Sequence, residues 1–239
     1  MAKKTKKMTT ESHLKELKNR IIVVFITVVI VFLVLYFNIE PIINFILQMG
    51  TDAGYQFVYV SPQEILIQQL RVSIILSLIA NIPVIIYELA AFNLPALNVK
   101  HAWFKVFLIT VFGFLMFFLG ALFAYQLLLP FVYETLYGIG TDVGVNAMVT
   151  VENHISFFLT LIICMGLIFE MPLITVLLAL FGILKASMLK KAIKPAIVAI
   201  LIVAALITPP DVVSQVMVAG PMIALYLISM LLCKIFERK

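Results

Sequence analysis

The sequence predicts an all-α integral membrane protein with six transmembrane helices and both termini on the cytoplasmic side. Three observations lead there. The 239-residue chain is 64% hydrophobic and only 12% charged, with mean hydropathy +1.16, far from the make-up of a soluble domain. Of its 17 Lys and Arg residues, all but Arg71 fall in four groups: Lys3 to Arg20, Lys100 with Lys105, Lys185 to Lys194, and Lys234 to Lys239. Apolar stretches separate these groups. The polar segments 38–64 and 130–154 hold no cation and carry Glu40, Asp52, Glu64, Glu134, Asp142 and Glu152 instead. Loops that alternate in this way follow the positive-inside rule, which puts the basic groups inside.

The elements follow in order. Residues 1–20 form a basic cytoplasmic N-terminal segment of a single domain, 1–239. Span 1 is Ile21–Phe37, about 17 residues, at the lower limit for crossing the hydrocarbon. It ends Leu35-Tyr36-Phe37-Asn38-Ile39-Glu40-Pro41, with no small-residue cleavage site, so it is expected to remain as an anchor. A short amphipathic piece runs from Pro41 to Gln48, and a turn surrounds Gly50, Asp52 and Gly54. Ser61-Pro62-Gln63-Glu64 reads as a capping box with proline at the first helical position. Span 2 is expected from Pro62 to Phe92 as one helix of about 31 residues, roughly 45 Å long. Arg71 lies in its outer half, either snorkelling or facing a wet cavity. Span 3 covers Lys105–Val132, and span 4 covers Ile155–Leu184 with Glu170 and Pro172 inside it. Two basic groups, Lys185–Lys194 and Lys234–Lys239, both demand the inner side, so the chain between them goes out and returns. Thr208-Pro209-Pro210-Asp211 is the strong breaker there. Span 5 is therefore Ala196–Thr208, and span 6 is Val212–Phe236. Two short spans, 1 and 5, imply local thinning of the bilayer.

Several function classes drop out. No basic face remains for nucleic acid once the spans are placed. The net charge of +5 instead favours contact with anionic membrane lipids. Cys164 and Cys233 lie in apolar stretches, which implies neither a disulfide nor a metal site. No nucleophile–base pair or Gly-rich phosphate loop is present, so neither an enzyme nor a cofactor is expected. A proton-coupled transporter built on Glu170 would call for repeat symmetry and a second intramembrane ionisable group, and only Arg71 offers itself.

A few residues carry candidate chemistry. In Ser12-His13-Leu14-Lys15-Glu16-Leu17-Lys18-Asn19-Arg20, Leu14, Leu17 and Ile21 share an apolar face. Glu16 and Arg20 share another, either as a surface ion pair or as a carboxylate that binds a cation. Glu170 is an acid within an apolar helix, where insertion costs roughly 2.5–3.5 kcal/mol. It is either a satisfied packing residue or part of a wet pocket. Thr208, Asp211, Ser214 and Gln215 surround the Pro209-Pro210 break. Asp211 suits the N-terminus of span 6, and Gln215 suits bonding to another helix. His154 reads as an interfacial residue.

Taken together, four stretches resemble the TatC family, the multi-spanning subunit of the twin-arginine protein translocase. They are the Ser12–Arg20 segment, Ala91-Phe92-Asn93-Leu94-Pro95-Ala96-Leu97, Phe169-Glu170-Met171-Pro172, and Thr208-Pro209-Pro210-Asp211-Val212-Val213-Ser214-Gln215. The resemblance covers essentially the whole chain. It implies a protein of the cell membrane that binds twin-arginine signal peptides at its cytoplasmic face. With TatA/TatB-type single-span partners it would export folded proteins, driven by the proton motive force. A homo-oligomer is also expected. By motif position Glu16 would contact the signal arginines, with Leu17, Arg20 and Phe92 in the same patch. Glu170 would line a polar concavity, and Thr208 and Gln215 would pack against a partner helix. The sequence departs from the family where a second loop glutamate is usual. His101 stands there, or Ala102 if the loop holds one extra residue. Glu88, one helical turn before Phe92, is the candidate substitute.

Overall fold

The computed structural model describes residues 10–93, 102–142, 148–208 and 212–237. Helices dominate these residues, as the composition requires. Helix α1 (Thr10–Tyr36) contains the apolar segment Leu14–Tyr36. Span 1 is therefore longer than the Ile21–Phe37 expected, because the helix starts inside the basic segment. Helix α2 (Glu40–Asp52) begins with Pro41 in its first turn and buries Ile43 and Ile46. Strand β1 (Gln56–Val58) follows.

The expected single span from Pro62 to Phe92 is instead two helices. They are α3 (Glu64–Ala80) and α4 (Ile82–Asn93), bent by 44° at Asn81. Pro83 explains the break, since it has no N–H for the carbonyl four residues back and its ring crowds that carbonyl. Asn81 is 2% exposed, and its Nδ2 donates to the Ser77 carbonyl at 2.7 Å. The capping box is also not the one expected. Helix α3 starts at Glu64, and no side chain caps it. The Glu64 carboxylate instead accepts N–H bonds from Val60 at 2.8 Å and from Glu152 at 3.0 Å.

Helix α5 (Ala102–Phe123) passes through a five-residue π-helical turn (Ala124–Leu128) into α6 (Leu129–Asp142). The wide turn precedes Pro130 and relieves the clash that proline would make with a regular helix. Residues 130–142, expected as part of a polar loop, are thus helical. Strand β2 (Met148–Thr150) pairs in parallel with β1, a pairing not expected from the residue pattern. Helix α7 (Val151–Phe169), capped by the Thr150 hydroxyl, is followed directly by α8 (Met171–Leu180), with Glu170 between them. Gly182, with φ 74°, closes α8 in a conformation that favours glycine. Helices α9 (Ala186–Lys191), α10 (Ile193–Ile207) and α11 (Val212–Phe236) complete the chain, the last matching the expected span 6.

Among the described residues, four apolar segments are each long enough to cross a membrane: Leu14–Tyr36, Val106–Gly138, Val151–Leu180 and Val212–Phe236. The bent α3–α4 pair adds a fifth, and α10 is a shorter apolar helix of 15 residues. Helix α7 is the central element. It packs on α2, α3, α5 and α11, and Ile155, Leu159, Leu161 and Met165 form the heart of the core. Helices α5 and α7 approach closely at Gly120, where a Cβ would meet the Met165 carbonyl oxygen at 2.4 Å. Helix α1 packs mainly against α3 and α4, with most of its apolar residues exposed, as suits a lipid-facing helix.

The strand-bearing end is held by several bonds. His154, read as interfacial, is 3% exposed. Its Nε2 lies 2.9 Å from the Ile46 carbonyl, and its ring packs against Tyr133 and Phe57. The Tyr55 hydroxyl donates to the Tyr133 carbonyl at 3.1 Å. The guanidinium of Arg71, half-buried, donates to the Ser156 hydroxyl of α7.

Candidate functional site

The site forms at the opposite end, where α1 meets α4. Helical spacing puts Glu16 and Arg20 one turn apart on α1, and Glu88 and Phe92 one turn apart on α4. The bend at Asn81 leans α4 so that Glu88 faces α1. Arg20 lies between the two acids. Its Nη2 is 2.7 Å and its Nε 3.2 Å from Glu16 Oε1, while Nη1 is 2.6 Å from Glu88 Oε2. Nη2 also lies 3.5 Å from the Ala91 carbonyl. The Arg20, Glu16 and Glu88 side chains are 23%, 28% and 16% exposed, so the cluster is half-buried yet reachable. Two carboxylates around one guanidinium leave a net charge of −1. Leu17 and Phe92 are half-buried beside it, while Leu14 and Ile21 are exposed. The expected ion pair of Glu16 with Arg20 is thus present and extends to Glu88.

An apolar cavity of about 500 Å3 begins next to this cluster. Ala90 and Leu89 of α4 line it, together with Ile109, Phe117, Leu173 and Ile174. Glu170 supplies its carboxylate. The break before Pro172 places this residue at the junction of α7 and α8, 7% exposed, and its Oε1 has no hydrogen-bond partner among the described residues. The expected polar concavity is thus an apolar cavity with one buried carboxylate, because α4, α5 and α8 all turn Ile, Leu and Phe towards it.

The third group is spread differently. Thr208 is 6% exposed, and its hydroxyl donates to the Ala204 carbonyl at 2.8 Å, ending α10. Gln215, half-buried, donates from Nε2 to the Leu201 carbonyl at 3.0 Å, joining α11 to α10. Exposed Leu206, Val212 and Val216 flank them. Pro209, Pro210, Asp211 and His101 lie outside the described residues, as does the loop from Leu94. Sequence reasoning missed the bridge from Arg20 to Glu88 and the clamp made by Glu64. The first had a readable signal: two acids and one arginine at the adjoining ends of two apolar helices need one another. The second had none, because Val60 and Glu152 meet Glu64 only through the fold.

The family model described as Sec-independent protein translocase protein (TatC) matches residues 12–221. Sec-independent protein translocase protein TatCy of Bacillus subtilis (strain 168) is 34% identical over 99% of this chain and 92% of its own. Sec-independent protein translocase protein TatC of Helicobacter pylori (strain ATCC 700392 / 26695) is 36% identical over 93% of this chain and 86% of its own. A crystal structure of the twin arginine translocase receptor TatC superposes with a TM-score of 0.82 at 31% identity, covering 95% of this chain and all of that one.

Proposed function

The chain belongs to the TatC family of Sec-independent protein translocase proteins, and on that premise we propose that it binds twin-arginine signal peptides at the Glu16–Glu88 end. It is a multi-pass membrane protein of twin-arginine protein transport, a transport component and not a catalyst. In the proposed reading it resides in the cell membrane with six spans, the shorter α10 included, and with both termini cytoplasmic. The charge partition along the chain supports that orientation.

The observation that carries the proposal is the adjacency of the acid cluster and the apolar cavity. Helix α4 serves both, since Ala91 offers its carbonyl to the cluster while Ala90 lines the cavity. A peptide with paired arginines next to an apolar stretch matches that order of surfaces. Carboxylates suit guanidinium because two parallel charge-assisted bonds are possible. Glu88 takes the part of the family's second glutamate, and its position beside Glu16 supports that exchange. Leu17 and Phe92 flank the arginines. Glu170 gives the cavity its one polar anchor. TatA/TatB-type single-span proteins pack near Thr208 and Gln215, where apolar side chains are exposed. The complex works as a homo-oligomer in contact with anionic lipids, and the proton motive force drives export of folded cargo.

The test is binding of a twin-arginine peptide to the protein in lipid nanodiscs. Glu16→Gln and Glu88→Gln should each weaken binding by about 1.5–3 kcal/mol, the worth of a hydrogen bond to a charged group. Unchanged affinity in both variants would remove the proposal.

A further inference from the structure

We propose that Arg71 and the Ser156 hydroxyl form a binding site for the phosphate of a phospholipid headgroup, in the leaflet at the strand-bearing end of the molecule. Arg71 is the one basic residue outside the four basic groups. It lies on a face of α3 where Ile67, Leu70, Ile74 and Leu78 are all exposed, as lipid-facing residues are. Among the described residues it has no carboxylate within ion-pair distance, and its side chain makes one hydrogen bond, from Nη1 to Ser156. Glu64 is occupied by two N–H groups, and Glu152, one turn before Ser156 on α7, is exposed. Nε and Nη2 of Arg71 therefore keep their hydrogens to donate. The Ser156 oxygen accepts the bond from Arg71, so its own O–H is also left to donate. A guanidinium and a hydroxyl thus stand side by side, with donors to spare and no acceptor for them.

The depth suits a headgroup. Arg71 follows Glu64, the first residue of α3, and Ser156 follows Val151, the first of α7, each by about 7–10 Å at 1.5 Å per residue. A guanidinium at that depth, flanked by apolar side chains, is costly without a counter-charge. A phosphodiester supplies one. Its two unesterified oxygens match the planar fork of arginine, and the serine O–H reaches an oxygen of the same group. The acyl chains then lie deeper, along Ile74 and Leu78. The lysine-rich groups at the opposite end attract anionic lipid through summed charge, whereas this site holds one lipid through a defined set of donors.

The experiment titrates the full-length protein in detergent with dioctanoyl phosphatidylglycerol and counts bound lipid by native mass spectrometry. One bound lipid should weaken about tenfold or more in Arg71→Gln, the loss of charge-assisted bonds, and severalfold in Ser156→Ala. Lys190→Gln, an exposed position at the opposite end, should leave that lipid in place. Monogalactosyl diacylglycerol, which has no phosphate, should not compete for the site, and neither should inorganic phosphate at the same concentration. Arg71→Lys keeps the charge but lacks the fork, so it should weaken the same lipid severalfold, and with Ser156→Ala it decides the matter should Arg71→Gln fail to fold. Lipid binding unchanged in all the Arg71 and Ser156 variants would overturn the proposal. Equal competition by the galactolipid would reduce the site to an apolar groove, and equal competition by inorganic phosphate would make it a free-anion site; either result overturns the assignment. Arg71→Gln and Glu152→Gln that lower the unfolding temperature alike, with lipid counts unchanged, would show an ion pair in place of a lipid site and overturn it as well.

Discussion

Straightening the α3–α4 bend should dismantle the acid cluster without touching any of its residues. Glu88 lies seven positions beyond Asn81, or about 10 Å along the helix at 1.5 Å per residue. Removing a 44° bend swings a point at that radius through about 8 Å, far more than the 2.6 Å bridge from Arg20 can absorb. The variant is Asn81→Leu combined with Pro83→Ala. It removes the side-chain bond to Ser77 and restores an N–H donor, and a proline replaced in a helix interior contributes about 3 kcal/mol towards continuity. Spin labels at the exposed positions Lys18 and Tyr87 report the separation of α1 from α4. The expected outcome is a shift of several ångströms in that distance. The affinity for a twin-arginine peptide should fall at least as far as in Glu88→Gln. An unchanged distance, with unchanged binding, would show that packing against α5 sets the bend and would refute the role given to Asn81 and Pro83.

Further outcomes follow from other contacts. Glu64→Ala should lower the thermal unfolding temperature in detergent more than Glu64→Gln, because the amide still offers one oxygen to Val60 or Glu152; equal unfolding of both variants and the parent would count against the clamp. Glu170→Gln should keep folding and part of the export of a folded reporter, whereas Glu170→Leu should insert but lose assembly or transport, both read by export assay and native gel. Full activity in Glu170→Leu would mean that the cavity needs no polar group. Gly120→Val should separate α5 from α7 at a cost of about 1–3 kcal/mol, seen as loss of monodisperse protein on gel filtration, while the same change at Gly138, where a Cβ meets nothing within 4 Å, should be tolerated.

The sequence announced the parts of this fold that depend on composition and charge. Apolar runs between basic groups located α1, α5, α7 and α11, and the lone acid beside Pro172 marked the α7–α8 junction. What it hid depends on where distant segments meet. Asn81-Ile82-Pro83 lies inside an apolar run that reads as one continuous span, and the sharpness of the bend at Pro83, with Asn81 bonded back to Ser77, shows only in the structure. Gln56–Val58 and Met148–Thr150 are too short to signal strands and pair because α2, α3 and α7 bring them together. Of the candidate site, Glu16 and Glu88 were legible as acids at the right ends of their helices. The engagement of both by Arg20 was legible only as three charges in need of partners, since the bonds themselves depend on the angle between α1 and α4.

The two ends of the molecule differ in how firmly they are fastened. At one, the β1–β2 ladder, the Glu64 clamp, His154 on the Ile46 carbonyl and Tyr55 on the Tyr133 carbonyl join segments from across the chain. At the other, α1 is bound to α4 through the Arg20 guanidinium, and Glu237 reaches the Ala186 N–H. Side-chain fastening between distant segments is therefore graded along the molecule, dense at the strands and sparse where α1 meets α4. Hydrogen exchange should map that gradient, with slow amides at Val60 and Glu152 and faster ones from Glu88 to Phe92.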